Sequence, residues 1–299
     1  MNQVSTSAAT RPLDRIVAAV LTLEGGGFEV YRPFPTATLD LVDPFLLLDE
    51  LGRVYHPPGQ AVGAPDHPHR GFETVSYTLE GEVAHRDSAG NHGLIRPGEV
   101  QWMTAGDGIV HSEMPSERLQ TEGGWVHGLQ VWVNLPRALK RTPPKYQPIG
   151  RDQIATVAGD GWEAEVVAGT ILGAVGPAET NSPIGYARVT IDPGAQLRIP
   201  VATGHTALVY AFAGSGTVAG TGQPLEAHHL AVFERSGGDV LLEVADGASS
   251  PLDTIVLTGE PLNEPVARHG PFVMNSRAEL VEAVDDFRAG RMGSIPAAV

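Results

Sequence analysis

Between residues 15 and 135 the chain alternates short runs of Val, Ile, Leu, Tyr and Trp with clusters of Gly, Pro, Asn and Asp. Pro57-Pro58-Gly59, Glu80-Gly81, Ser88-Ala89-Gly90-Asn91 and Pro97-Gly98 punctuate the runs, and this rhythm predicts short strands joined by turns. The apolar stretch from Ile16 to Leu23 is about eight residues long, whereas a bilayer span needs roughly 20, so it reads as a strand and not as an anchor or leader. A second strand-rich half holds runs at 162–167, 186–191, 207–212, 228–233, 240–244 and 254–258. Such spacing predicts an all-β chain of two sandwiches or small barrels. Between the halves, Pro136 to Pro148 loses apolar periodicity and carries both lysines, Lys140 and Lys145. The expected division is a frayed tail at 1–12, a first domain at 13–140, a linker at 141–148 and a second domain at 149–299.

One helix is expected, at 276–289 in the second domain. Ser276-Arg277-Ala278-Glu279 is a capping box, Leu280, Val281, Val284 and Phe287 mark one apolar face, and Gly290 supplies a stop.

Composition narrows the chemistry. The 299 residues include 36 Gly and 24 Pro, in keeping with many turns, and the net charge of −15 argues against nucleic acid or an anionic membrane as partner. The absence of cysteine excludes disulfides, thiolate nucleophiles, iron–sulfur clusters and Cys-type zinc sites. A soluble cytoplasmic monomer is the working expectation.

Histidines carry the sharpest signal. Asp66-His67-Pro68-His69-Arg70-Gly71 and His111-Ser112-Glu113 each place two ligand-type residues at i and i+2, which on a strand puts both on one face. Two neighbouring strands so equipped enclose a cation with three imidazoles and a carboxylate. Pro68 cannot donate to a sheet ladder, so its strand belongs at an edge or a bulge. If no bulge follows, Glu73, Val75, Tyr77 and Leu79 continue the His67/His69 face and line an apolar pocket. His56, His85, His92 and His127 lie near turns and read as surface or structural residues.

The stretches DHPHRGFETVSYTLEGEVAHRDSAGNHG, PGEVQWMTAGDGIVHSEMP and HGLQVWVNLP resemble the pirin family of the cupin superfamily, as do DPFLLLDE near the start and GEPLNEPVARHGPFVMNS near the end. The resemblance implies two tandem cupin (jelly-roll β-barrel) domains, with one metal per chain in the first. It places the ligands on His67, His69, His111 and Glu113. Fe(II) is the implied occupant, with Mn, Ni, Co, Cu or Zn as alternatives. It further implies quercetin 2,3-dioxygenase activity, the opening of a flavonol ring by O2 with release of carbon monoxide. Glu113 would act as base as well as ligand. Glu73, at the position of the general cupin carboxylate, is then expected beside the ligands or in the pocket. His205 and the adjacent pair His228-His229 do not repeat the pattern, so the second barrel is expected to be metal-free. The resemblance also implies an alternative, a non-catalytic redox- or iron-responsive protein that binds a metabolic enzyme or a transcription factor.

Overall fold

The computed structural model describes residues 9–296. The chain divides into two compact units, one of Val20–Gln153 with Leu262–Val299 and one of Met1–Ala19 with Ile154–Pro261. Each is built around a seven-stranded and a four-stranded antiparallel sheet.

In the first unit the large sheet runs Lys145–Ile149, Val100–Thr104, Phe72–Glu80, Gly124–Asn134, Phe45–His56, Phe28–Phe34, Val20–Glu24. Its small sheet runs Ala64–His69, Ile109–Pro115, Val83–Asp87, His92–Ile95. In the second unit the large sheet runs Leu13–Ala18, His229–Phe233, Thr206–Ala213, Leu252–Gly259, Ile184–Ile191, Trp162–Ala168, Ala155–Gly159, and the small one Gln196–Ile199, Val240–Glu243, Ser215–Val218, Gln223–Glu226. Val189, Val209, Leu225, Leu242 and Val256 belong to one buried cluster that fills the second unit.

These pairings revise the expected boundaries. The apolar run at 16–23 is two strands, Leu13–Ala18 and Val20–Glu24, and the chain passes from one unit to the other between them. Leu13–Ala18 pairs with His229–Phe233, because an apolar edge strand gains a partner there and Leu13 and Ile16 pack on the core. Most of the expected tail at 1–12 lies outside the described residues or beside them, but Arg11 is fully buried. Its guanidinium donates to the carbonyls of Val201, Ala202, His205, Glu234 and Gly238 at 2.8–3.1 Å. Five carbonyls satisfy the buried guanidinium, and the charge of Asp239 nearby favours its charged form.

The linker expected at 141–148 is integral to the first unit. Lys145–Ile149 adds a strand beside Val100–Thr104, and the passage between units falls at Gln153/Ile154. Lys140 is buried, with Nζ donating to Gly71 O (2.8 Å), Asn134 Oδ1 (2.7 Å) and Val273 O (3.0 Å). Burial lowers its pKa from 10.5 to about 8.

The terminal helix spans Arg277–Arg288, with Ser276 as N-cap accepting from the Glu279 N–H at 3.3 Å. It belongs to the first unit rather than to the second domain as expected. Leu280 and Ala283 are buried against Val110, Phe272, Met274 and Met292, with Val284 partly so. Val281 and Phe287, expected on the buried face, are 55% and 40% exposed. Asp286, on the face that is turned inward, ion-pairs with Arg70 at 2.7 Å.

Candidate metal centre

Ile109–Pro115 lies between Ala64–His69 and Val83–Asp87, with His111 opposite both His67 and Asp87. Ala64–His69 is an edge strand, which accommodates Pro68. The i,i+2 spacing turns His67 and His69 to one face, and His111 meets them from the next strand. Ring centroids lie 4.7 Å (His67–His69), 4.4 Å (His67–His111) and 4.9 Å (His69–His111) apart. Each residue offers a ring nitrogen within 4.8 Å of the others.

The hydrogen bonds around the rings fit a cation. His67 Nδ1 lies 2.7 Å from Pro65 O and His69 Nδ1 3.4 Å from Pro271 O. A carbonyl only accepts, so both rings carry the proton on Nδ1 and present the Nε2 lone pair inward. The two Nε2 atoms face each other at 3.1 Å. Two lone pairs so placed repel unless a positive charge lies between them. His111 is fully buried and neither of its ring nitrogens has a hydrogen-bond partner, an expensive arrangement for imidazole unless a metal takes the lone pair. Burial, then the neighbouring imidazoles, hold the pKa values of His69 and His111 well below the ordinary value. Neutral imidazoles are what a divalent first-row metal binds.

Glu113 is not in this three-residue group. Its Oε1 accepts from Ser76 Oγ at 2.9 Å and from Gln101 Nε2, and its Oε2 accepts from Gln130 Nε2 at 3.0 Å. Glu73 departs from the expected parity. Gly71, at φ +89°, interrupts the strand after His69, and a Cβ there would run into the Val273 carbonyl oxygen. Alternation restarts beyond it, so Phe72 and Ser76 turn toward His69 and Glu113. Glu73 falls on the opposite face, buried and accepting from Thr104 Oγ1 at 2.7 Å, and is not among the residues lining the cavity.

That cavity has a volume of about 800 Å3, and His67, His69 and Glu113 stand in its wall. Leu46, Leu47, Leu129 and Trp132 give it apolar surface, while Arg32 and Asp49 give it a charged patch. Trp132 and Phe72 approach His69 edge-on, with centroids 5.2 and 5.0 Å away.

Several residues of the centre were not singled out in the sequence. His85 and His127, read from the sequence as surface or structural residues, are buried. Nε2 of His85 lies 3.3 Å from Asp87 Oδ2, and Nε2 of His127 3.1 Å from Glu50 Oε1. His85 also stacks on Tyr146 at 4.4 Å and stands 5.5 Å from His111. The His85-x-Asp87 spacing is itself a period-two pair and was the available clue. Ser76, Gln101, Gln130 and Pro271 meet the site only through long-range pairing. His56 and His92 remain at least partly exposed.

Residues 27–133 match the family model described as Pirin, and residues 186–293 the Pirin C-terminal cupin domain. The chain is 41% identical over 273 residues to a human protein named Pirin, covering 90% of each chain. It is 38% identical over 296 residues to Pirin-like protein 2 of Arabidopsis thaliana, covering 98% of this chain and 88% of that one. A crystal structure titled quercetin 2,3-dioxygenase from Acinetobacter baumannii superposes with a TM-score of 0.89 at 39% identity, covering 96% of this chain and 100% of the other. No helix among the described residues is long and apolar enough to cross a membrane.

Proposed function

The chain belongs to the pirin family, and from that premise we propose that it is an iron-dependent dioxygenase that opens the heterocyclic ring of a flavonol with O2 and releases carbon monoxide. The observation that carries the reading is the pair of inward lone pairs on His67 and His69 beside the unpartnered ring of His111, set in the wall of a largely apolar cavity. The likeness to a structure titled as a quercetin 2,3-dioxygenase supports the substrate class.

His67, His69 and His111 would hold the iron. When bound, it supplies Lewis acidity toward the chelating oxygens of the substrate and the redox chemistry that O2 requires. Glu113 is the proposed base for the flavonol 3-hydroxyl. Oε1 already accepts two hydrogen bonds and Oε2 one, so Oε2 keeps a lone pair for the substrate proton while its donors fix the carboxylate. The same lone pair on Oε2 would let Glu113 serve as the fourth ligand, the role that the family resemblance implies for it. Pro271 O orients the His69 ring, and Trp132, Leu46 and Leu47 exclude water from an aromatic body laid beside it.

The test is an anaerobic titration of the iron-loaded protein with quercetin, followed by admission of air. A shift of the flavonol absorption band on binding, and its loss only after oxygen enters, is expected. An unshifted band with no turnover contradicts the proposal.

A further inference from the structure

Across the cavity-facing side of the large sheet, five adjacent strands place polar side chains side by side. Gln101 lies opposite Ser76, Ser76 opposite Gln130, and Gln130 opposite Asp49. Asp49 is then held by Arg32 of the next strand, with Nε–Oδ1 at 2.7 Å and Nη2–Oδ2 at 2.5 Å. The first three side chains hold Glu113. The last two have no part in the metal centre, yet both line the same cavity. Strands are spaced about 4.8 Å apart, so Asp49 stands two strands, or roughly 10 Å, from the Ser76 strand over which Glu113 is anchored.

An ion pair in this position has a consequence for what fills the cavity. The Asp49 side chain is only 6% exposed, and Arg32 also pairs with Glu24 at 2.6 Å. A carboxylate has about four acceptor sites, and Arg32 occupies two. Asp49 is among the residues that line the cavity, so the acceptor sites Arg32 leaves are open to a ligand there. An apolar ligand end would leave them desolvated and unpaired, whereas a hydroxyl would donate to one. Sites of this kind discriminate strongly against analogues that lack the donor.

We infer that the Arg32–Asp49 pair is the specificity-determining end of the cavity, where Asp49 accepts a hydrogen bond from a hydroxyl on an aromatic substrate whose chelating oxygens lie at the histidine end of the same cavity. The inference rests on the flavonol reading and sharpens it: the substrate is an aryl compound hydroxylated at the end remote from its chelating group.

Binding to the iron-loaded protein under nitrogen, followed by ligand absorbance, tests this without turnover. The probes are 3-hydroxyflavone, which has no hydroxyl outside the chelating group, 3,7-dihydroxyflavone and 3,4′-dihydroxyflavone. The wild-type protein should bind at least one dihydroxy compound about 10–100-fold more tightly than 3-hydroxyflavone. In Arg32→Met/Asp49→Leu, which removes both charges and strands neither, the preference should collapse to less than about threefold. Asp49→Asn keeps an acceptor but not the charge and should give an intermediate preference. Equal binding of all three compounds by the wild type, or a preference that survives the double variant, overturns the inference while leaving the flavonol reading in place. Failure of the wild type to bind any of the three overturns both.

Discussion

Arg70, the residue after His69, ion-pairs with Asp286 of the terminal helix at 2.7 Å. The edge strand that carries two of the three clustered histidines is therefore fastened to the helix, and the Arg70 side chain is 3% exposed. Asp286→Ala strips a buried guanidinium of that partner, and unfolding should become easier by on the order of 2–4 kcal/mol. Arg70 holds the Asp286 pKa below the ordinary carboxylate value. A depressed folded-state pKa stabilises above the unfolded value of about 3.9 and loses that effect as pH falls. The gap between wild type and Asp286→Asn should therefore be full at neutral pH and shrink below about pH 4. Denaturant titrations at several pH values check this, and a constant gap contradicts it.

Lys140 fastens the other side of the same motif, through the carbonyls of Gly71 and Val273. Lys140→Met should leave these buried acceptors and Asn134 Oδ1 unsatisfied, at roughly 1–3 kcal/mol for each group left bare. The folded-state pKa is lowered to about 8 from 10.5, so between those values the unfolded chain holds a proton that the folded chain has shed. Raising the pH then favours folding. The stability advantage of the wild type over Lys140→Met should widen between pH 8 and about 10, as measured by chemical unfolding at each pH.

Much of this was legible in the sequence, and what escaped has a common cause. Period-two spacing brought out His67, His69 and His111 because alternation across a strand is a local property. The same rule failed at Glu73, since Gly71 resets the alternation and the close approach of Val273 that demands glycine involves a residue some 200 positions away. Leu13–Ala18 reads as a strand in either unit, and only its pairing with His229–Phe233 decides which. The burial of Lys140 escaped because a lysine among prolines at the end of the first domain carries no sign of three buried acceptors. The helix was legible from its capping box, but its buried face is the one that meets Val110, Phe272, Met274 and Arg70, which the helical pattern cannot contain.

Metal content follows from the histidine geometry. Reloaded protein should approach one equivalent of iron per chain by elemental analysis. His67→Ala and His111→Ala should each lose most of it, because two imidazoles hold a divalent ion far less tightly than three. Two equivalents in the wild type would place a second site outside this cluster, and normal affinity in either variant would remove that residue from the ligand set.

Glu113 separates the roles of ligand and base. Glu113→Gln keeps the side chain's size but removes its charge and proton-accepting capacity. Turnover per bound iron should fall by roughly 10²–10⁴-fold if Glu113 is the base, and stay within about tenfold if it only ligates or orients. Loss of iron with normal turnover per remaining iron would assign it as a ligand. Glu73→Gln is the control. Glu73 faces away from the cavity toward Thr104, so its substitution should change stability more than turnover, and the reverse result would move the catalytic carboxylate there.

The most direct measurement is the yield of carbon monoxide per flavonol consumed, followed together with bound iron in wild type and His111→Ala. One carbon monoxide is expected for each quercetin opened, at a rate proportional to bound iron, so that His111→Ala, which loses most of its iron, releases correspondingly little. Quercetin loss without carbon monoxide, or equal release from His111→Ala depleted of metal, would contradict this.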